Sequence, residues 1–130
     1  MNVKIFRLQR SPRISSKLVT RLVRTVLKHE SCASNLINIV LADDDHLRHL
    51  NRTFFHKNRP TNVIAFALGE LAEIYISLDR SRDQADVYYY IAHGLLHIAG
   101  HDHLTSADER IMNRKCLEYI SKAFRKRGAR

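Results

Sequence analysis

The sequence predicts a single α+β domain, with about four strands in a mixed sheet packed with helices. Apolar residues alternate between short β-branched runs of strand length and longer stretches that follow the 3.6-residue period of a helix. The chain has 130 residues, which suits one compact core, and it contains no repeats, low-complexity tracts or evident linker. We therefore expect residues 1–130 to form one domain.

The first half of the chain predicts two strands, each followed by a helix. Val3 to Leu8 has the pattern of a first strand, and a helix begins at about Ser16. Its predicted inner face consists of Val19, Leu22, Val23, Val26 and Leu27. A buried strand over residues 36–41 precedes three aspartates, 43–45, which cap a second helix and match its dipole. The predicted inner face of that helix consists of Leu47, Leu50 and Phe54.

The second half begins with two more predicted strands, Asn62 to Leu68 and Glu73 to Leu78, joined by a short turn at Gly69. A helix, predicted to be the longest of the chain, then runs from about Asp79 to Ile98. The central part of the fold is therefore expected to be a sheet covered by this helix.

The last helix is predicted from a capping-box pattern formed by Ser106 and Glu109. Its predicted core face consists of Met112, Cys116, Leu117, Ile120 and Phe124. The chain's two cysteines, Cys32 and Cys116, lie far apart without a partner motif, so both are expected to be reduced.

The composition favours a polyanionic partner. Lysine and arginine outnumber aspartate and glutamate by 22 to 13, and the formal net charge is +9 with neutral histidines. Nucleic acid is the first candidate for a basic chain of this kind. Charges interrupt the N-terminal apolar residues, and no segment approaches the length of a membrane span, so we expect a cytoplasmic protein that does not bind membranes.

Three histidines near the end of the long helix have the spacing of a metal site. His93 and His97 stand one helical turn apart and leave the same face. Gly100 can adopt the positive φ that ends a helix and turns the chain back toward the pair with His103. Three imidazoles around an open fourth position are typical of a catalytic zinc site, so one zinc ion is expected, although nickel, iron or copper also accept these ligands.

The residue after the first histidine helps to distinguish a metalloprotease from other metal-dependent enzymes. Metzincin proteases share the spacing but place a glutamate, the general base, directly after the first histidine, where this chain has Gly94. Peptidase chemistry is therefore disfavoured. Asp102 is the candidate catalytic carboxylate. It can act as a general base, orient a ligand histidine or cap the turn. His101 is expected to face the surface or the substrate.

The eleven residues from His93 to His103 resemble the signature H-G-x-L-H-x-x-G-x-D-H of the YbeY-type endoribonucleases, which are bacterial rRNA maturation factors. The resemblance extends to Leu50-Asn51, to Lys57 and to Pro60-Thr61-Asn62-Val63, in the same order as in that family. It further includes Phe66 and Ile74-Tyr75-Ile76-Ser77.

The resemblance implies a single metal-dependent endoribonuclease domain over residues 1–130, with the metal at the end of a central helix and in the turn that follows. It implies His93, His97 and His103 as ligands, beside a basic groove that binds single-stranded RNA. The implied role is maturation of small-subunit (16S) rRNA and ribosome biogenesis, with rRNA and the small ribosomal subunit as partners.

One departure from the family concerns substrate contact. The alignment places Phe55 where the family has an arginine, and a ring cannot neutralise phosphate charge. Arg52, Lys57 and Arg59 are the candidate RNA-binding cations near this position. Phe54 or Phe55 can instead stack on a base.

Three hypotheses follow from the residues. The first is a metal-dependent endoribonuclease. The second is an RNA-binding ribosome-assembly factor with a structural metal and little hydrolysis, which Phe55 and the absence of a glutamate at position 94 favour. The third is a small metallohydrolase with another substrate. RNA cleavage that a chelator abolishes selects the first, and salt-sensitive RNA binding without cleavage selects the second.

Overall fold

The computed structural model describes residues 1–57, 61–102 and 104–125. The elements in chain order are β1 (Asn2–Arg7), α1 (Ser16–His29), β2 (Leu36–Ala42), α2 (Asp44–Phe55), β3 (Val63–Leu68), β4 (Leu71–Ser77), a short 3₁₀ turn (Leu78–Arg80), α3 (Gln84–Ile98) and α4 (Ser106–Phe124). In these ranges no helix is long and apolar enough to cross a bilayer.

The four strands form one mixed sheet in the order β1-β2-β4-β3. β2 pairs in parallel with both β1 and β4, while β3 and β4 form an antiparallel hairpin. Gly69 takes a φ of +75° in the turn of that hairpin, where the sequence predicts it. The prediction of an α+β fold with a four-stranded mixed sheet is confirmed.

Helices cover both faces of the sheet. Ile74 and Ile76 of β4 point into the main core with the buried sides of α1, α3 and α4. Tyr75, between them, points to the opposite face, where it packs with Leu47 of α2 and Ile64 of β3. The predicted inner face of α1 is buried at all five positions. The helix carrying the histidine pair is therefore fixed between the sheet and two other helices.

Two predictions about α2 have different outcomes. Asp43 is the N-cap, and its side chain accepts a hydrogen bond from the His46 amide at 2.8 Å, as the aspartate run predicts. Phe54 is 58% exposed and does not belong to a buried face. Its ring contacts Phe66 of β3 edge-on near the end of α2 but stays largely exposed, so that prediction is wrong.

The predicted start of α3 is also wrong. The helix begins at Gln84, because the Asp83 side chain caps it by accepting from the Asp86 amide at 3.2 Å. Residues 78–80 form the 3₁₀ turn instead. As a result α3 has 15 residues and is shorter than α4, which has 19.

In the last helix, the N-cap residue and one residue of the buried face differ from the prediction. Thr105 is the N-cap in place of Ser106, and its hydroxyl accepts from the Asp108 amide at 3.1 Å. Leu117 is 54% exposed. The buried residues are Met112, Cys116, Tyr119 and Ala123. This spacing forms a single stripe against α1 and α3, and position 117 lies beside that stripe.

Candidate functional site

The imidazoles of His93 and His97 meet on one side of α3. Their Nε2 atoms lie 3.0 Å apart, and the ring centroids are separated by 4.7 Å. Both side chains are half-buried. Neighbouring positions of α3, such as Ile91 and Leu95, are fully buried, so core packing sets the rotation of the helix and directs both rings to one point.

This pair has the geometry of two ligands of one metal ion. Zinc binds imidazole nitrogen at about 2.0–2.1 Å, so two nitrogens in a tetrahedral site lie about 3.3 Å apart. The observed separation of 3.0 Å needs little adjustment. Within the described ranges, no third His, Cys, Asp or Glu completes a group of three. The predicted third ligand, His103, lies outside the described residues.

The turn after α3 reverses the chain directly behind the histidine pair. Gly100 has a φ of +102°, and its amide donates to the His97 carbonyl at 3.0 Å. The His101 amide donates to the Leu96 carbonyl at 2.9 Å. These two bonds form a Schellman motif, which requires glycine at the left-handed position. Asp102, at the end of the turn, and His97 line the same cavity.

A cavity of about 760 Å³ lies next to the histidine pair. We call it the groove. The turn after α3 supplies His97, Gly100, His101 and Asp102, and the end of α2 supplies Asn51 and Phe55. The remaining wall consists of Lys57, Thr61, Val63, Ile64 and Ala65. The groove therefore combines an imidazole of the histidine pair, a carboxylate and a cation in one space.

The candidate RNA-binding residues have different positions. Lys57 lines the groove and is exposed. Arg52 is exposed on α2 but is not among the described residues that line the groove. Arg59 lies outside the described residues. Of the three predicted cations, Lys57 is thus the one that the structure places at the groove.

Phe55 presents an aromatic surface to the groove. Its ring is 46% exposed and stacks on Phe66 of β3, with centroids 5.9 Å apart and an interplanar angle of 15°. Phe54 contacts the same ring edge-on, at 5.3 Å, but is not among the residues lining the groove. Phe66 supports Phe55 from behind, so the exposed part of Phe55 is held at the groove wall.

Gly94 has a packing role that explains why no glutamate stands there. A Cβ atom at this position would lie 2.7 Å from Ile74 Cγ2 and 3.3 Å from Val63 Cγ2. The position therefore faces the sheet, on a side of α3 that is fully covered. Without Gly94, α3 could not approach β3 and β4 this closely.

The sequence did not predict a charged cluster behind the groove. His101 Nε2 lies 2.6 Å from Glu30 Oε1, and Lys115 Nζ donates to Glu30 Oε2 at 3.0 Å. Tyr119 also donates to Glu30 Oε2. His101 was expected to face the surface or the substrate, and its ring does line the groove, but its Nε2 also contacts the buried Glu30 carboxylate. These contacts join residues 71 to 89 positions apart, and local sequence patterns carry no signal for them.

Asn51 is a second residue that the sequence analysis did not single out as functional. It is buried at the groove wall, one helical turn after Leu47. A polar residue on the otherwise apolar face of α2 was the signal available in the sequence.

Comparisons with known proteins show which family this chain is similar to. The family model described as Endoribonuclease YbeY matches residues 5–123. A curated relative from Carboxydothermus hydrogenoformans, named Endoribonuclease YbeY, is 32% identical over 119 residues, which cover 80% of this chain and 82% of the relative. A relative of the same name from Geobacter metallireducens is 30% identical over 142 residues, covering 93% and 95%.

Among solved structures, the solution structure of TM1509 from Thermotoga maritima is similar to this chain. The TM-score is 0.55 at 23% identity, and the match covers all of both chains. At this identity the likeness concerns the fold, and it supports the α+β architecture described above.

Proposed function

The chain belongs to the endoribonuclease YbeY family, and on that premise we propose that it is a zinc-dependent endoribonuclease that cleaves single-stranded RNA. Its proposed role is maturation of small-subunit (16S) rRNA in the cytoplasm, as part of ribosome biogenesis. The observation that carries the proposal is the convergence of the His93 and His97 Nε2 atoms, 3.0 Å apart, beside a groove that contains Lys57.

His93, His97 and His103 are the proposed zinc ligands. The two described imidazoles fit an ion without rearrangement of α3, and the Schellman turn after them holds residues 100–102 at the groove. When bound, zinc supplies Lewis acidity that polarises a phosphoryl oxygen or acidifies water, and nickel, iron or copper can occupy the same ligands.

The other groove residues bind and position the RNA. Lys57 lines the groove and is proposed to contact a phosphate, and Arg52 and Arg59 are proposed to add positive charge outside the described groove wall. Asp102 lies at the same wall as His97, where its carboxylate can accept a proton or orient an imidazole. Phe55 offers its exposed face to an unpaired base, which favours single strands because bases in a duplex are already stacked.

Cleavage of a labelled single-stranded RNA and of the same sequence annealed to its complement tests the proposal. The wild-type chain is expected to cut the single strand, and both EDTA and His97→Ala are expected to abolish the cutting. His49→Ala is the matched control, because His49 is an exposed histidine on α2 away from the pair.

The results of this experiment distinguish the endoribonuclease hypothesis from the hypothesis of an RNA-binding assembly factor. Cleavage that survives His97→Ala indicates a contaminating nuclease and contradicts the proposal. A wild-type chain that holds one zinc ion and binds RNA but cuts neither substrate is instead an assembly factor with a structural metal.

A further inference from the structure

Helix α1 carries four basic side chains in a row on the face away from the core. Lys17, Arg21, Arg24 and Lys28 are spaced by four, three and four residues and therefore share one side of the helix. Lys17, Arg24 and Lys28 are exposed, and Arg21 is half-buried. At about 1.5 Å per residue the row is roughly 16 Å long. We call these four residues the basic row.

Helix α1 contains no acidic residue that would neutralise the row. In the part of the chain that the structure describes, no carboxylate forms an ion pair with any of its four cations. Like charges one turn apart repel each other, and Lys17 lies near the helix N-terminus, where the helix dipole disfavours a cation. This arrangement weakens the isolated helix, and an external polyanion would relieve the repulsion.

The surface beside the row is concave, and basic and hydroxyl-bearing residues line it. A depression of about 660 Å³ is lined by the row itself together with His29 and the hydroxyl-bearing Ser16, Thr20 and Thr25. Cations interspersed with serine and threonine hydroxyls are the usual contacts to a sugar-phosphate backbone. A membrane is a poorer partner, because the apolar face of α1 is buried in the core and cannot enter a lipid interface.

We propose that the basic row binds the phosphate backbone of single-stranded RNA outside the groove. The choice of RNA as the ligand rests on the proposed function, whereas the proposal that a polyanion binds here rests on the basic row alone. Its length matches about five stacked nucleotides at about 3.4 Å each. The row also approaches the groove: α1 ends at His29, and the next residue, Glu30, contacts His101 at the groove wall. We therefore expect an RNA strand that extends past Lys28 to lie near this wall of the groove.

Fluorescence anisotropy of a labelled single-stranded RNA tests the proposal when it is recorded in EDTA over a range of salt concentrations, so that binding is separated from cleavage. The variant replaces the three exposed cations of the row: Lys17→Gln, Arg24→Gln and Lys28→Gln. Arg21 is retained, because its Nη1 donates to the Ala123 carbonyl at 3.2 Å and supports the packing of α4.

The matched control removes the same charge elsewhere, by Lys4→Gln, Arg10→Gln and Arg13→Gln, all at exposed positions outside α1. Circular dichroism verifies the fold of each variant. If the triple variant does not fold, the double variant Lys17→Gln and Lys28→Gln replaces it.

We expect the row variant to bind RNA on the order of tenfold more weakly at moderate salt, and the control to bind like the wild type. The slope of log K against log salt should fall by about two for three lost phosphate contacts, since each contributes about 0.7 on a single strand, and by about 1.4 for the double variant.

Equal losses in the row variant and the control, or no loss in the row variant, overturn the proposal while the proposed function stands. If the wild type binds no RNA either in EDTA or with zinc, the proposed function fails as well. Vesicles containing phosphatidylserine serve as a second probe. A row variant that keeps RNA binding but loses vesicle binding would show that the surface contacts membranes instead.

Discussion

Glu30 Oε1 lies 2.6 Å from His101 Nε2, a contact that joins the residue following α1 to the turn after α3. Lys115 and Tyr119 of α4 donate to the other oxygen of the same carboxylate. Burial acts to raise the pKa of Glu30, but the hydrogen bonds from Tyr119, His101 and Lys115 outweigh it and lower the pKa to about 2. The end of α1 and the helix α4 thus anchor the turn that immediately precedes His103.

This cluster predicts a pH-dependent stability. The folded pKa of Glu30 is about 2, below the usual 4.5, so its stabilisation is complete above 4.5 and is lost as the pH falls toward 2. Its side chain is 9% exposed, and the shift corresponds to about 3 kcal/mol of unfolding free energy. Glu30→Gln should therefore be less stable at pH 7, with a smaller difference at pH 3. Urea unfolding at both values measures this, and an unchanged difference would contradict the role assigned to the carboxylate.

Gly94 predicts a steric effect on the helix that carries the histidine pair. In Gly94→Ala the new Cβ would lie 2.7 Å from Ile74 Cγ2, so α3 must shift away from the sheet. Overpacking of this kind costs about 1–3 kcal/mol. Thermal unfolding measures the loss. In an Ile74→Ala background Gly94→Ala should lower the melting temperature by less. An equal decrease in both backgrounds would show that the contact with Ile74 does not limit the approach of α3.

Metal binding predicts a gain in stability. Zinc held by the proposed ligands should raise the melting temperature, since a ligand at a hundredfold excess over Kd adds about 2.7 kcal/mol to the folded state. His93→Ala should lose most of this gain, and His49→Ala should keep it. Differential scanning calorimetry with zinc and with EDTA measures both. A gain that His93→Ala retains would place the metal elsewhere.

The exposed ring at the groove predicts a loss of RNA affinity on its removal. Phe55→Leu removes the aromatic face while keeping an apolar side chain, and base stacking on an aromatic contributes about 1–3 kcal/mol. Phe54→Leu is the control, because Phe54 contacts the same Phe66 ring but does not line the groove. Anisotropy titrations with single-stranded RNA compare the two. Equal affinities would assign Phe55 to packing alone.

The two thiols should react at different rates. Burial raises the pKa of Cys116 to about 12, which keeps it protonated, while Cys32 is half-buried. A disulfide reagent at pH 8 should therefore label one thiol in the folded chain and the second only in denaturant. Cys32→Ser should remove the fast reaction. Rapid labelling of Cys116 in that variant would mean that α4 opens readily.

Local sequence patterns predicted much of the secondary structure. The five apolar residues of α1 are buried as their spacing indicates, Asp43 caps α2, and Gly69 turns the β3–β4 hairpin. The meeting of His93 and His97 also follows from the sequence, because residues one turn apart on a helix project from the same side. These features depend on neighbours within a few residues, and the sequence specifies such neighbours directly.

The predicted helix starts and buried faces were wrong where a neighbouring residue took the cap position or where contacts with distant residues decided which side is buried. Asp83 and Thr105 take the cap positions of α3 and α4, so both helices differ from their predicted starts. Leu117 is exposed because α4 buries a single stripe against two helices at once. Apolarity alone does not say which side of a helix its neighbours will occupy.

Local spacing along the chain predicts the helices and strands, the fold class that they imply and the close approach of two imidazoles on one helix. The surroundings of that pair depend instead on tertiary packing: Gly94 against Ile74, Phe55 and Lys57 at the groove, and Glu30 bound to His101. These contacts join residues far apart in the chain, and they depend on the order in which strands pair and helices pack. Hydrophobic periodicity predicts helices and strands, but it does not specify how they pack against one another. The groove lies between packed elements, so it can be described only from the folded chain.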